Sequence, residues 1–167
     1  MHRYFPGCPS VAIDVVQGVW VVDRERVLRT VLGACVSVCL YDRKAEVGGM
    51  NHYVFARSGV KQTQHSDTRY LSGERCLSGL LDAILKAGAH RENIRAKAFG
   101  GASIFSNDSE TVAACERNTR FAEQWLENES IILELADFHG DCARKLMFHP
   151  STGRHFCQLI SPLLIAA

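Results

Sequence analysis

The sequence lacks the features that mark export, membrane insertion or nucleic-acid binding. Its N-terminus has no apolar core of the kind found in signal peptides. The apolar run at 163–167 is much too short to span a bilayer, and we interpret it as a terminal strand or docked tail. A formal net charge of +1, without a long basic block, argues against broad electrostatic binding to nucleic acid or anionic membranes. We therefore expect no nucleic-acid partner and no direct membrane insertion.

The seven cysteines lack the pattern of a disulfide framework. Their number is odd, they are spread along the chain, and no Cys-x-x-Cys occurs. This usage fits a reducing cytoplasm better than an oxidising compartment. Free cysteines in apolar strands and helices are usually small core residues. We expect that role for Cys39, Cys76, Cys115 and Cys157.

The composition is that of an ordinary globular domain. With 167 residues, 47% hydrophobic and 22% charged, the chain fits one domain spanning 1–167. Alternation between 36 and 41 predicts a strand with two distinct faces, and an apolar stripe at 77–85, ended by Gly88, predicts a helix. Further strands are predicted at 19–22, 47–55, 94–99, 131–135, 145–148 and 156–160, and a second helix at about 111–127. This order predicts an α/β domain with a mainly antiparallel sheet.

The stretch from Gly33 to His52 contains the side chains best suited to catalysis. Cys35 follows a turn of small residues, and His52 comes 17 positions later, after one strand-like run and a short turn. A hairpin would bring Cys35 and His52 face to face, and a neighbouring imidazole would raise the thiolate fraction. A thiol beside an imidazole can attack an acyl or amide carbon. From spacing alone, a nucleophile and a core residue are both open interpretations of Cys35.

A metal site is the competing interpretation of the same residues. Cys35, Cys39, His52 and His65 are zinc-ligand types. Two thiols four positions apart on a strand lie roughly 13 Å from each other at about 3.3 Å per residue, so they cannot bind one ion without bending the strand. We therefore predict no metal. Thr30, by its sequence context alone, is an ordinary strand threonine.

Four blocks of the sequence carry a resemblance to a known family. The first runs from Thr30 to Asp42 and continues from Gly48 to His52. The other blocks are 88–102, 116–118 and 144–153. In this order they resemble the CheD family of chemoreceptor glutamine deamidases, and the resemblance covers about 12–160, nearly the whole chain.

The resemblance implies a catalytic set of Cys35 as nucleophile, His52 as base and Thr30 as the residue that orients the histidine. It implies a three-layer α/β sandwich with a mainly antiparallel or mixed β-sheet and flanking helices. The substrates would be glutamine side chains on the helical cytoplasmic region of chemoreceptors, and neither a metal nor an organic cofactor would be needed. Some family members also bind the phosphatase CheC, so a CheC-like partner is implied as well.

Two departures from the family pattern stand out. Ala34 occupies a position where serine is common, and the loop at 139–143 differs from the usual sequence. The loop affects the expectation of partner binding more than that of catalysis. Two alternatives stay open: a related thiol amidohydrolase with another target, and a receptor- or CheC-docking module without turnover. The intact Thr30, Cys35 and His52 favour an enzyme.

Overall fold

The described residues, 11–57 and 71–163 of a computed structural model, form two β-sheets and two long helices. The helices are α1 (Gly73–Lys86) and α2 (Ser109–Asn128). The strands, in chain order, are β1 (Ile13–Asp14), β2 (Trp20–Asp23), β3 (Leu28–Leu32), β4 (Val36–Asp42), β5 (Val47–Asn51), β6 (Arg95–Gly100), β7 (Ile132–Phe138), β8 (Ala143–Phe148) and β9 (His155–Ile160). One sheet has the order β1-β3-β8-β9, and the other β2-β5-β4-β6-β7.

The helices, the five-stranded sheet and the four-stranded sheet stack as three layers. One apolar core lies between the helices and the five-stranded sheet, and it includes Val38 and Leu80. The other lies between the two sheets and includes Tyr41 and Leu146. Most neighbouring strands are antiparallel, but β1 pairs with β3, and β6 with β7, in parallel. The predicted three-layer α/β sandwich is confirmed, and its third layer is a second sheet.

Strand β4 lies in the middle of the molecule. Its alternation predicted two distinct faces, and the structure has them: Val36, Val38 and Leu40 face the helices, while Cys39 and Tyr41 face the other sheet. Both faces are buried, so all seven residues of the strand are inaccessible to solvent. A strand that is covered on both faces needs uncharged side chains on both faces. This explains why β4 contains few charged residues.

Both predicted helices are present, and side chains cap their first turns. Ser72 accepts a hydrogen bond from the backbone of Arg75 at the start of α1, which begins four residues before the apolar stripe. Asp108 accepts a hydrogen bond from the backbone N–H of Thr111 at the start of α2. A capping oxygen satisfies one of the four N–H groups that the first turn leaves unpaired. None of the described helices is long and apolar enough to cross a membrane.

The strand that was predicted over 47–55 is shorter in the structure. It ends at Asn51, and only an isolated bridge between Val36 and Tyr53 continues the pairing. His52 therefore lies just beyond the end of β5 rather than within it. The predicted terminal strand or tail falls mainly on 164–167, outside the described residues.

Candidate active site

The hairpin of β4 and β5 places Cys35 and His52 on the same face. The bridge between Val36 and Tyr53 continues the register of the two strands. In that register Cys35 and His52 are diagonal neighbours, a relationship that separates Cα atoms by roughly 7–8 Å and lets long side chains meet. The two residues therefore share a face as expected, but they are not directly opposite each other.

Thr30 reaches His52 from the other sheet. Alternate residues of β3 are buried, which turns Thr30 inward and Arg29 and Val31 outward. The hydroxyl Oγ1 of Thr30 lies 2.8 Å from Nδ1 of His52. Cys35 packs against the same inter-sheet core. The stacking of the two sheets thus brings all three predicted site residues to one region.

The hydrogen bonds of Thr30 determine which nitrogen of His52 carries the proton. The Thr30 hydroxyl donates its one hydrogen to the carbonyl of Val15, at 2.7 Å. Toward His52 the same oxygen can therefore only accept, so Nδ1 is the protonated nitrogen. The Val15 carbonyl lies 3.4 Å from Nδ1 and is a second, weaker acceptor. The lone pair is consequently on Nε2.

Nε2 of His52 is buried and ready to accept a proton. His52 is 4% exposed, and among the described residues Nε2 has no hydrogen-bond partner. Burial lowers the pKa of His52, so the ring is neutral at neutral pH. An unpaired buried acceptor costs free energy, and such groups commonly have a functional reason. This nitrogen has the state that a general base requires.

The thiol of Cys35 is protonated at rest. Burial raises its pKa, and two contacts oppose this effect: the backbone N–H of Cys35 itself and the side-chain amide of Gln17. The Gln17 nitrogen Nε2 lies 3.8 Å from Sγ. The expectation of thiolate character at rest is therefore wrong, because burial dominates. The thiol proton has to leave during attack, and the neutral His52 can take it.

The turn that carries Cys35 is held at three successive carbonyls. Backbone N–H groups in 101–102 donate to the carbonyls of Cys35 and Gly33, at 3.0 and 2.9 Å. The side-chain amide of Asn118 donates to the carbonyl of Ala34, at 3.4 Å. In a trans peptide the C=O and N–H groups point in opposite directions, so this contact aims the N–H of Cys35 away from α2. That N–H is close enough to Sγ to lower its pKa, and it can serve as an oxyanion donor.

A cavity of about 640 Å³ opens beside the histidine. Its lining includes Val15, Gln17, Thr30, His52 and Lys145. Cys35 is not among the lining residues, but Gln17 belongs to the lining and contacts the thiol. The cavity therefore reaches His52 directly and Cys35 only past Gln17.

Val15, Gln17 and Asn118 were not predicted as site residues from the sequence. They reach the site from the segment between β1 and β2 and from the buried face of α2, far away along the chain. Asn118 lies in the resemblance block at 116–118, which was the signal available for it in the sequence.

The other cysteines and the metal hypothesis can be compared with the structure directly. Cys39, Cys76 and Cys115 are buried as expected, whereas Cys157 is only partly buried. His65, a member of the rejected zinc set, lies outside the described residues. Within 11–57 and 71–163, no group of three or more His, Cys, Asp or Glu residues is placed to hold a metal ion.

The chain is similar to a protein family and to several of its members. The family model described as "CheD chemotactic sensory transduction" matches residues 55–159. "Probable chemoreceptor glutamine deamidase CheD 2" of Dechloromonas aromatica is 39% identical over 84% of this chain and 71% of its own length. The "Probable chemoreceptor glutamine deamidase CheD" proteins of Zymomonas mobilis and Rhizobium leguminosarum are 39% and 40% identical, over 87% and 85% of this chain and 79% and 76% of theirs.

By these matches the chain belongs to the CheD family, as the four sequence blocks indicated. The family match begins after His52, so it rests on parts of the chain other than the three candidate site residues. Among solved structures, the Bacillus licheniformis hypothetical protein YfiH is 13% identical over 78% of this chain and 60% of its own. Its TM-score of 0.44 is too low to define a shared fold.

Proposed function

We propose that this chain is a protein-glutamine deamidase that acts on chemoreceptors, with Cys35 as nucleophile, His52 as base and acid, and Thr30 as the residue that orients His52. One observation carries the assignment of roles. Thr30 and Val15 hold Nδ1 of His52 and leave its buried Nε2 without a partner among the described residues, on the face that His52 shares with Cys35. The names of the relatives, chemoreceptor glutamine deamidases, support the substrate class.

The first half-reaction forms a thioester. Sγ of Cys35 attacks the carboxamide carbon of the substrate glutamine while the thiol proton moves to Nε2 of His52. The carbonyl electrons move onto oxygen, where the backbone N–H of Cys35 donates a hydrogen bond. When the carbonyl re-forms, the carbon–nitrogen bond breaks, and the His52 imidazolium gives its proton to the leaving nitrogen. Ammonia departs and the glutamyl group stays on sulfur.

The second half-reaction returns the enzyme to its starting state. Nε2 of His52 takes a proton from water as the water oxygen attacks the thioester carbon. The carbon–sulfur bond then breaks, sulfur regains the proton from His52, and glutamate is released. Each turnover changes a neutral side chain into an anion, which alters repulsion between neighbouring helices of the receptor. No step in this scheme calls for a metal or an organic cofactor.

The cellular compartment in which this chain acts follows from the proposed substrate. Glutamines on the helical cytoplasmic region of chemoreceptors are accessible from the cytoplasm, so we assign this chain to that compartment as one deamidase domain. A CheC-like phosphatase is proposed as a second protein partner, on the family resemblance alone. The sequence departs from the family in the loop at 139–143, and this departure bears on the binding of that partner more than on catalysis.

Intact mass of a receptor fragment tests the proposal. Deamidation replaces an NH2 group by OH, so each modified site becomes about 1 Da heavier. We expect this shift with the wild-type chain, its loss with Cys35→Ala, and its retention with Cys39→Ala. Cys39 is the matched control because it is a buried thiol further along the same strand face.

Three outcomes would contradict the proposal. Full activity of folded Cys35→Ala would exclude Cys35 as the nucleophile. Receptor binding by the wild-type chain without a mass shift indicates the docking module without turnover. Incorporation of an added amine in place of water indicates a transglutaminase-like enzyme.

A further inference from the structure

We infer that the side-chain amide of Gln17 is an oxyanion donor in the attack by Cys35, in addition to the backbone N–H of the nucleophile. This inference rests on the proposed function and adds a residue that the family resemblance did not include. It begins from a contact: Nε2 of Gln17 donates to Sγ of Cys35 across 3.8 Å.

The contact distance fits a donor to the reacting oxygen. In the tetrahedral intermediate the oxyanion is attached to the carbon that is bonded to sulfur, so it lies next to Sγ. An N–H group in weak contact with Sγ can therefore approach that oxygen to the usual hydrogen-bond distance of about 2.7–3.2 Å. The interaction becomes stronger as negative charge develops, which is the condition for lowering the barrier.

The backbone that carries Gln17 is fixed by the catalytic base itself. Residues 16–19 form a tight turn in which the Val19 N–H donates to the Val16 carbonyl at 3.2 Å, and Gly18 adopts a φ of 78°. The Gly18 N–H donates to the His52 carbonyl at 2.8 Å, and the His52 N–H donates to the Val19 carbonyl at 3.1 Å. Gln17 therefore keeps its position relative to His52, and only its side-chain torsions are free.

Gln17 supplies a side-chain donor in addition to the backbone N–H of Cys35. The backbone N–H of Cys35 is held in place from the helix layer, through Asn118 and the Ala34 carbonyl. Gln17 approaches from the side of the cavity that also borders His52. An uncharged donor suits this place, because it stabilises the oxyanion without a competing charge next to the base.

Gln17 could itself be a substrate, because its carboxamide lies beside the cysteine that we propose attacks glutamine. If Cys35 attacked it, Gln17 would become glutamate and the peptide that contains it would be about 1 Da heavier. The contact observed presents the amide nitrogen to sulfur as a hydrogen-bond donor. That arrangement favours a donor role over a substrate role.

Kinetics of ammonia release with a receptor fragment, using Gln17→Ala and Gln17→Glu, test the inference. We expect Gln17→Ala to lower kcat about 10- to 100-fold, with little change in KM, because a hydrogen bond to a developing charge is lost. Gln17→Glu should lower kcat further, because a carboxylate of the same size cannot donate and repels the oxyanion. Gln124→Ala, the same change at an exposed position on α2, should leave kcat unchanged.

The measurements separate failure of this inference from failure of the proposed function. If Cys35→Ala is inactive while folded Gln17→Ala or Gln17→Glu keeps kcat within about twofold of wild type, the donor role alone is wrong. Activity of Cys35→Ala would instead overturn the function. A Gln17 peptide that is heavier in the wild-type chain but not in Cys35→Ala would overturn the donor role in favour of self-modification.

Discussion

Thr30 controls the protonation of His52 through a single hydroxyl hydrogen. Because that hydrogen is committed to Val15, the Thr30 oxygen must accept from Nδ1, and the ring's lone pair is left on Nε2. The Val15 carbonyl, at 3.4 Å, provides partial support if the hydroxyl is removed. The main-chain oxygen that can partly replace the threonine hydroxyl thus belongs to Val15.

Replacing Thr30 by valine should therefore weaken catalysis without abolishing it. We expect Thr30→Val to lower kcat about tenfold, the effect of one lost hydrogen bond, and Thr30→Ser to restore most of it. His52→Asn should lose about 10²–10⁴-fold or more, because it removes the acid and the base. Ammonia release at saturating substrate measures all three, with circular dichroism as a folding control. A folded Thr30→Val as inactive as His52→Asn would mean that Thr30 does more than orient the ring.

Strand β5 carries glycine where another element packs directly on it. A Cβ added to Gly48 would lie 2.3 Å from the carbonyl oxygen of Pro150, in the turn between β8 and β9. Since Gly48 also pairs with β2 and β4 on its two sides, neither partner can move away easily. The close approach keeps the β8–β9 turn against the five-stranded sheet.

Gly48→Ala should therefore destabilise the fold through a steric clash. We expect the free energy of unfolding to fall by about 2–3 kcal/mol, measured by urea denaturation with an unchanged m-value. Gly140→Ala is the control, because no atom lies within 4 Å of its added Cβ and only its φ of 85° opposes the substitution. That conformational cost is about 1 kcal/mol. Equal losses for the two variants would show that the clash is relieved.

Acidic pH should destabilise the whole molecule through buried and paired groups. Glu134 accepts hydrogen bonds from Arg43 and Tyr41 and so links β7 to β4. The hydrogen bonds from Arg43 lower the pKa of Glu134 to about 2. A carboxyl whose pKa is lower in the folded state than in the unfolded state adds stability above about pH 4.5, and this stability is lost as the pH falls towards 2. The lowered pKa of buried His52 acts in the same direction below about pH 6.5.

Glu134→Gln should therefore flatten the dependence of stability on pH between about 4.5 and 2, because the group that titrates has been removed. The measurement is the free energy of unfolding over a pH series. Glu127→Gln, a change at an exposed position on α2, should leave the slope as it is in the wild-type chain. An unchanged slope in Glu134→Gln would mean that the ion pair is equally formed in the unfolded state.

Structural features that depend on residues close together along the chain could be predicted from the sequence. The alternation of β4, the apolar stripe of α1 and the capping Asp108 each involve residues a few positions apart, so local propensity and periodicity reveal them. The hairpin that puts Cys35 and His52 on one face is of the same kind, because a short turn fixes the register of two adjacent strands. The role of Thr30 came from the family resemblance and not from its own context.

Contacts between sheets and between layers were decided by the tertiary structure. Val15, Gln17 and Asn118 come to the site from separate elements, through hydrogen bonds that join residues 15 to 84 positions apart. The resting protonation of Cys35 also depends on packing, because burial raises the pKa of its thiol. The sequence alone does not show how deeply a side chain is buried. The sequence thus indicated the two candidate reactive groups, Cys35 and His52, by local pairing, whereas the stacking of three layers determined their protonation and their partners.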